Sequence, residues 1–107
     1  MNKTVELKNT TALVKAILEE GQTARNSDSY LYFKVIDMIS NEKGINLKYI
    51  PVTAFLLNMA EWGFPPFESV RRSRQKLQRQ FPELRASEKV ADQREANEEA
   101  YREYAIS

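Results

Sequence analysis

The sequence predicts an all-α fold for this chain of 107 residues. Apolar residues recur in several segments at the three- and four-residue spacing of amphipathic helices. Side chains that commonly cap helices, namely Asn, Asp, Ser and Thr, precede those segments. Glycine and proline separate one segment from the next, and both residues commonly end helices. A chain of this length suits one domain with a modest core of its own.

The first half of the chain contains two predicted helices. Residues 1–8 predict only a frayed end or a short strand, and a first helix is expected over residues 10–20. After the polar, turn-like stretch GQTARNSD, either Ser27 or Asp28 can cap a second helix that Gly44 ends. The second helix is apolar around most of its circumference, so we expect it at the centre of the domain.

A third helix and a firm break follow. The stretch INLKYI predicts a loop or a short extended piece, and Pro51 suits the first turn of the next helix. The apolar residues of this helix have helical spacing and predict a short, well-buried element. They are Val52, Phe55, Leu56 and Met59. The break WGFPPF contains two consecutive prolines, and its aromatic residues are expected to lock the loop onto the core, with an exposed protein-binding knob as the other hypothesis. They are Trp62, Phe64 and Phe67.

The fourth predicted helix, FESVRRSRQKLQRQF, begins close to Phe67 and ends at Pro82. At 100° per residue, three apolar side chains fall on one narrow side that faces the core: Val70, Leu77 and Phe81. The opposite side presents cationic and amide groups to solvent. It carries Glu68, Arg72, Gln75 and Arg79, with Arg71 and Lys76 at its flanks.

The last predicted helix carries much charge and little apolar surface. Ser87 with Glu88 can start it. Its sizeable apolar residues are Val90, Tyr101, Tyr104 and Ile106. Such a helix buries little, so we expect a helical domain over residues 1–85 and a mobile, docked or self-associating charged helix over residues 86–107.

Net charge is only +1, but the charge is unevenly distributed. Residues 1–64 carry seven basic and seven acidic side chains, residues 65–85 carry six and two, and residues 86–107 carry three and six. The balance along the chain is therefore 0, +4 and −3. The positive charge is concentrated on the fourth predicted helix.

Composition excludes several classes of function. The chain has no cysteine and no histidine, which removes disulfides, thiolate metal sites, cysteine nucleophiles and the commonest general base. We therefore expect no enzyme, no cofactor and no metal. The first twenty residues lack the apolar core of a signal peptide, and no stretch approaches the roughly 20 apolar residues of a membrane span. The expected protein is cytoplasmic and does not enter a membrane.

Compact helices followed by a basic helix with an apolar back are typical of helix-turn-helix and winged-helix DNA-binding domains. Arginine can bind guanine edges in the major groove and glutamine can bind adenine edges, whereas flanking cations neutralise phosphates. The expected base-reading residues are Arg72, Gln75 and Arg79. The expected backbone contacts are Arg71, Lys76 and either Arg74 or Arg85. A solvated cationic face without a partner is the competing interpretation.

Other partners also fit the sequence. Small size, near-neutral charge and an acidic final helix suit an inhibitor or adaptor that binds a host protein, and a homodimer is a further expectation. Tyr30 and Tyr32 could stack on bases, although the same helix needs large core residues. The acidic helix could fold back over the basic one and weaken DNA binding. No spacing of carboxylates predicts a metal site.

The string PPFESVRRSRQKLQRQFPELRASE at residues 65–88, after ARNSDSYLYFKVID, resembles short uncharacterised proteins of phages and prophages of Gram-positive bacteria. Their shared pattern is Phe-Glu-Ser/Thr, a paired Arg-Arg, an Arg-Gln-Lys core, Pro-Glu-Leu-Arg and a charged C-terminal helix. The resemblance spans residues 23–104. It implies a small phage gene product with a helix-turn-helix-like fold, and it assigns no activity and no catalytic residue.

Overall fold

The computed structural model describes the backbone of residues 3–106 and the side chains of residues 10–103. That part of the chain forms six α-helices and no β-strand, which confirms the all-α prediction. The helices are α1 Lys3–Glu20, α2 Gln22–Asn26, α3 Asp28–Lys43, α4 Val52–Asn58, α5 Phe67–Gln80 and α6 Glu88–Ile106. Two 3-10 turns, Leu47–Tyr49 and Pro82–Leu84, precede α4 and α6.

The core lies where α1, α2, α3 and α5 meet. Helix α1 packs against both α3 and α5, and α2 packs against α3. The buried aliphatic side chains of this cluster are Val14, Ile17, Leu18, Ala24, Leu31, Val35, Val70, Leu77 and Leu84. Burial of one such larger side chain contributes about 1.5–3 kcal/mol relative to its exposure, so this small cluster holds the helices together.

The N-terminal region is more helical than the sequence predicts. Helix α1 begins at Lys3 and not near residue 10, and the polar stretch after it forms α2. Arg25 Nε donates a hydrogen bond to the Leu18 carbonyl oxygen at 2.7 Å, which satisfies one of the free carbonyls at the end of α1. Ala24 is buried on the core cluster. These tertiary contacts stabilise a five-residue helix whose composition is typical of a turn.

Helix α3 has the predicted ends but only one buried side. Ser27 caps it, since its hydroxyl accepts a hydrogen bond from the Tyr30 N–H at 3.1 Å. Gly44 ends it in the left-handed conformation with φ 72°, a conformation that favours glycine. The buried apolar residues are Leu31, Val35 and Ile36, whereas the Phe33 side of the helix faces solvent. The expectation of a helix covered on most of its sides at the centre of the domain is therefore wrong, because only one side of α3 is buried.

The prediction that α4 is well buried is wrong. None of its residues is buried, and Val52 and Leu56 are 73% and 61% exposed. Phe55 and Met59 face inwards and are half-buried. Because apolar residues occupy both sides of this helix, helical spacing alone does not show which side the rest of the protein covers.

The loop between α4 and α5 is locked onto the domain by its aromatic residues, as expected. Phe64 is buried and packs edge-on against Phe55, with ring centroids 5.2 Å apart. Phe67 packs edge-on against Tyr32 at 5.3 Å, and the Tyr32 hydroxyl donates a hydrogen bond to the Pro65 carbonyl oxygen at 2.8 Å. Burial raises the pKa of Tyr32. These contacts fix the start of α5, and they hold the Tyr32 side chain against the loop.

A helix, a short helical piece and a second helix occur in this order twice in the chain. The first unit is α1, α2 and α3, and the second is α5, the 3-10 turn after it, and α6. The two units run in the same direction, since Thr11 contacts Ser73 at 3.5 Å and Asn26 Oδ1 accepts a hydrogen bond from the Ser87 N–H at 2.8 Å. Helices α1 and α5 are therefore a parallel pair at the centre of the molecule.

Candidate nucleic-acid interface

Helix α5 begins directly after Pro66, with Glu68 in its first turn, where a negative charge complements the helix dipole. Val70 and Leu77 are buried as predicted, and Phe81 is half-buried against the core. This apolar edge anchors the helix against α1. It also determines which side of α5 faces solvent.

The buried side of α5 also contains polar residues that the sequence reasoning missed. Arg74 is 6% exposed, and its Nε and a terminal nitrogen donate hydrogen bonds to the two carboxylate oxygens of Asp28 at 2.8 and 3.1 Å. This bidentate pair joins the middle of α5 to the first turn of α3. Arg74 is therefore unavailable for a DNA phosphate, and Arg85, which is exposed, remains available.

A second arginine reaches the same carboxylate from α6. A terminal nitrogen of Arg94 lies 3.5 Å from an Asp28 oxygen, and its other terminal nitrogen donates to the Arg25 carbonyl oxygen at 3.0 Å. Burial lowers the pKa of Arg94, the neighbouring Arg74 charge lowers it further, and Asp28 opposes both. A guanidinium nevertheless stays protonated in proteins. Asp28 thus holds two cations and docks the first half of α6.

Gln78 completes the buried polar network. Its amide oxygen accepts a hydrogen bond from Arg74 at 3.3 Å, and its amide nitrogen donates to the carbonyl oxygens of Arg25 and Leu84 at 3.2 and 3.0 Å. In the described part of the chain, no buried side-chain nitrogen or oxygen lacks a hydrogen-bond partner. A fully satisfied network of this kind fixes the rotation of α5 about its axis.

The solvent side of α5 carries a row of three cations. Arg72, Lys76 and Arg79 are all exposed, and the Arg72 side chain retains 75% of its accessible surface. Within residues 10–103, neither Lys76 nor Arg79 forms a salt bridge or a side-chain hydrogen bond. We call these three residues the cationic row. The sequence prediction of an outward-facing basic side is confirmed for them.

Glu68 reduces the charge at the start of the cationic row. Arg71 donates hydrogen bonds to both of its carboxylate oxygens at 3.0 and 2.6 Å, and Arg72 Nε lies 3.4 Å away. Hydrogen bonding from Arg71 and the two positive charges lower the pKa of Glu68. Any stability from this exposed pair is therefore present above the unfolded-state pKa of Glu68, and it is lost as pH falls through the folded-state pKa.

Helix α6 borders the other flank of α5. The Gln75 amide nitrogen donates a hydrogen bond to a Glu98 oxygen at 3.4 Å. An open groove of about 470 Å³ separates the two helices. Its charged and amide lining residues are Arg74, Gln75, Gln78, Arg79, Arg85, Arg94, Glu95 and Glu98. Of the five predicted DNA-binding residues, Arg72, Lys76 and Arg79 are exposed on the solvent side of α5. The other two, Arg71 and Gln75, donate hydrogen bonds to Glu68 and Glu98.

The buried position of Arg74 could have been found from the sequence. Arg74 follows Val70 by four residues and precedes Leu77 by three, so a helical projection places it beside the apolar edge. A charged residue at such a position is expected to have a buried partner. The sequence does not identify Asp28 as that partner, because the two residues meet only through the packing of α3 against α5.

Comparisons of the chain with protein-family models, curated proteins and solved structures found no match. None of the described helices is long and apolar enough to cross a membrane. Among the described residues, no group of three or more acidic side chains is arranged to hold a metal ion. The features of the chain that bear on its function are therefore the side chains of α5 and their surroundings.

Proposed function

We propose that the protein is a non-catalytic binding module that contacts duplex DNA through the cationic row of α5. The observation that carries the proposal is the presence of three exposed cations on one side of a helix whose rotation is fixed by a buried polar network. Their spacing, at i, i+4 and i+7, is that of neighbours along one helix face. An ordered row of this kind can follow the phosphates that border a groove.

The roles of the individual residues follow from their surroundings. Arg72 and Arg79 have the guanidinium geometry for a guanine edge or a phosphate, and Lys76 supplies a compact charge for a phosphate. Arg85 lies beyond the C-terminal end of α5 and extends the positive surface. Arg71 and Gln75 contribute when DNA displaces Glu68 and Glu98 from them. We therefore expect the cationic row to contact DNA before Arg71 and Gln75 do.

The biological role that fits this module is that of a small phage or prophage accessory or regulatory protein in the cytoplasm. It includes a helix-turn-helix type of DNA contact, in which α5 lies in the major groove. The residues 59–66 between α4 and α5 are a longer connection than the short turn of a typical helix-turn-helix.

The proposal is tested by titrating a fluorescent duplex with the full-length protein over a series of salt concentrations. Because contacts to phosphates release counterions, the logarithm of affinity is expected to fall linearly with the logarithm of salt, with a slope of about −2 to −4 for two to four phosphate contacts. Absence of binding to any duplex at low salt contradicts the proposal.

We expect Glu68→Gln to increase DNA affinity about threefold at low salt. The substitution removes one negative charge from the interface and releases Arg71 and Arg72 from a shared carboxylate. The matched control is Glu42→Gln, which removes an exposed carboxylate from α3. An equal gain in both variants would reflect net charge alone and would remove Glu68 from the interface.

Binding to a host protein, as an inhibitor or adaptor, is the second candidate function. It is favoured by two exposed aromatic residues on the outer side of α3, Tyr30 and Phe33, whose ring centroids are 6.5 Å apart. Exposed aromatic side chains are enriched in protein interfaces. Retention of one stoichiometric protein from nuclease-treated host lysate, and its loss with Phe33→Ser, would favour this function over DNA binding.

A further inference from the structure

An open groove of about 470 Å³ separates α5 from α6, whereas the equivalent helices of the first unit, α1 and α3, pack directly against each other. The two units can be aligned because the last residues of α1 and α5, Glu20 and Gln80, lie 60 positions apart. At this separation the buried positions coincide. They are Val14, Ile17, Leu18 and Ala24 in residues 11–24, and Arg74, Leu77, Gln78 and Leu84 in residues 71–84.

The groove lies where the first unit has apolar packing. In that unit, Leu31 and Val35 of α3 are fully buried in the core cluster beside α1. At the same separation of 60 positions, α6 carries Ala91 and Glu95, which are exposed and line the groove. A methyl group and a charged side chain do not fill the space that two larger aliphatic side chains fill. The second unit therefore has a concave polar space between its helices.

Charged side chains of both signs line this groove without pairing with one another. They are Arg79 of α5, Arg85 after the 3-10 turn, and Glu95 of α6. Within residues 10–103, none of these three side chains forms a salt bridge or a hydrogen bond. The other acidic lining residue, Glu98, accepts a hydrogen bond from Gln75. The groove therefore holds two guanidinium groups and one carboxylate apart, and a ligand can bridge them.

The floor of the groove carries more positive than negative charge. Arg74 and Arg94 both line the groove, and both contact the single carboxylate of Asp28. One positive charge of this group is therefore not balanced within it, and the free guanidinium groups of Arg79 and Arg85 lie beside it. This arrangement favours an anionic part in the ligand. Phosphate is the best match, because a guanidinium group binds its oxygens in a bidentate fork.

We propose that the groove binds a small phosphate monoester with free hydroxyl groups, namely a sugar phosphate. Arg79 and Arg85 hold the phosphate, and Glu95 accepts hydrogen bonds from the hydroxyl groups, as carboxylates do with ribose. The volume of about 470 Å³ lies within the range of small-molecule sites, roughly 300–1,000 Å³. No aromatic side chain of the described residues lines the groove for stacking, so the sugar and its phosphate are the recognised part. This proposal does not depend on duplex binding.

The test is an NMR titration of the isotope-labelled full-length protein with ribose 5-phosphate, made without DNA. Saturable shifts are expected at the amides of Arg85, Ala86 and Ala91, which belong to lining residues. The dissociation constant should be on the order of 1 mM, because an open groove leaves the ligand partly solvated. Inorganic phosphate, which lacks the hydroxyl groups, should bind about fivefold more weakly. Absence of saturable shifts, or equal affinity for inorganic phosphate, overturns the proposal.

Replacement of Arg85 tests the phosphate contact. Arg85→Ala is expected to weaken the binding of both ribose 5-phosphate and inorganic phosphate about five- to tenfold, because it removes a charge-assisted hydrogen bond. Its circular dichroism should match that of the unsubstituted protein, since the Arg85 side chain is exposed. The matched control is Arg102→Ala, which removes the same charge from an exposed position of α6 outside the groove. Equal losses in the two variants contradict the proposal.

Replacement of Glu95 tests the hydroxyl contact. Glu95→Ala is expected to reduce the preference for ribose 5-phosphate over inorganic phosphate to less than about twofold, whereas Glu99→Ala, an exposed change on α6 outside the groove, should preserve it. A preference that survives Glu95→Ala contradicts the proposal. Adenosine 5′-monophosphate distinguishes the sources of the sugar phosphate. Affinity equal to that of ribose 5-phosphate identifies a free sugar phosphate as the ligand, and affinity more than about tenfold higher identifies a nucleotide.

Discussion

Replacement of Arg72 and Arg79 together by alanine is expected to weaken duplex binding about 30-fold or more at low salt. Each arginine has the geometry for a bidentate base contact or a phosphate contact, and loss of one such contact costs roughly 1–3 kcal/mol at a base edge. Loss of two phosphate contacts should also reduce the steepness of the salt dependence by about 2. The measurement is the same fluorescence titration, made over the same salt series.

The double variant removes the expected DNA contacts of Arg72 and Arg79 without lowering the thermal stability of the protein. Both side chains are exposed, and the ion pair of Arg72 with Glu68 is 3.4 Å long and open to solvent, so thermal stability should hardly change. The matched control is Lys89→Ala with Arg102→Ala, which removes the same charge from exposed positions of α6. Equal losses in the two double variants would show that net charge, and not the cationic row, determines affinity.

We expect Asp28→Asn to lower the free energy of unfolding by about 3 kcal/mol, because it leaves two guanidinium groups without a countercharge in a partly buried site. Arg74 is almost fully buried, and Asp28 retains 22% of its side-chain exposure. For a domain of this size, the corresponding fall in melting temperature is about 15 °C. Urea denaturation and thermal circular dichroism measure both quantities.

The control for Asp28→Asn is Asp37→Asn, which makes the same change on the same helix. Asp37 is half-buried, and its carboxylate forms no salt bridge within residues 10–103, so its loss should cost less than about 0.5 kcal/mol. The Asp28 variant should also weaken the docking of α6, since Arg94 shares the same carboxylate. A loss of stability below about 1 kcal/mol in Asp28→Asn would show that the network contributes little net stability.

The alanine replacements and Asp28→Asn test the two opposite sides of α5. Its inner side is held by Asp28 and by the core, and its outer side presents the cationic row. When positions are counted back from the last residues of α1 and α5, Glu20 and Gln80, the inner positions of α1 hold the apolar residues Val14 and Leu18. In α5 they are Arg74 and Gln78, so the second unit is held by directional hydrogen bonds as well as by apolar packing.

Local sequence information was sufficient for most helix ends. Gly44 ends α3, Ser27 caps it, and Pro66 and Pro82 delimit α5, because each of these residues acts on its own backbone or on the next turn. It was also sufficient for the outward direction of Arg72 and Arg79. It was insufficient for α2, a helix of mainly polar residues in which Ala24 packs on the core and Arg25 binds the end of α1.

The sequence by itself determined an all-α chain, the ends of its longer helices and the concentration of positive charge on one of them, because these properties depend on spacing and on neighbours in the chain. Tertiary structure alone decided that Arg74 points inwards to Asp28, that Glu98 reaches Gln75, and that Val52 and Leu56 face solvent. Each of those outcomes depends on which distant helix lies opposite a given side chain. Helical periodicity gives the direction of a side chain about its own axis, but it does not identify the group that the side chain meets.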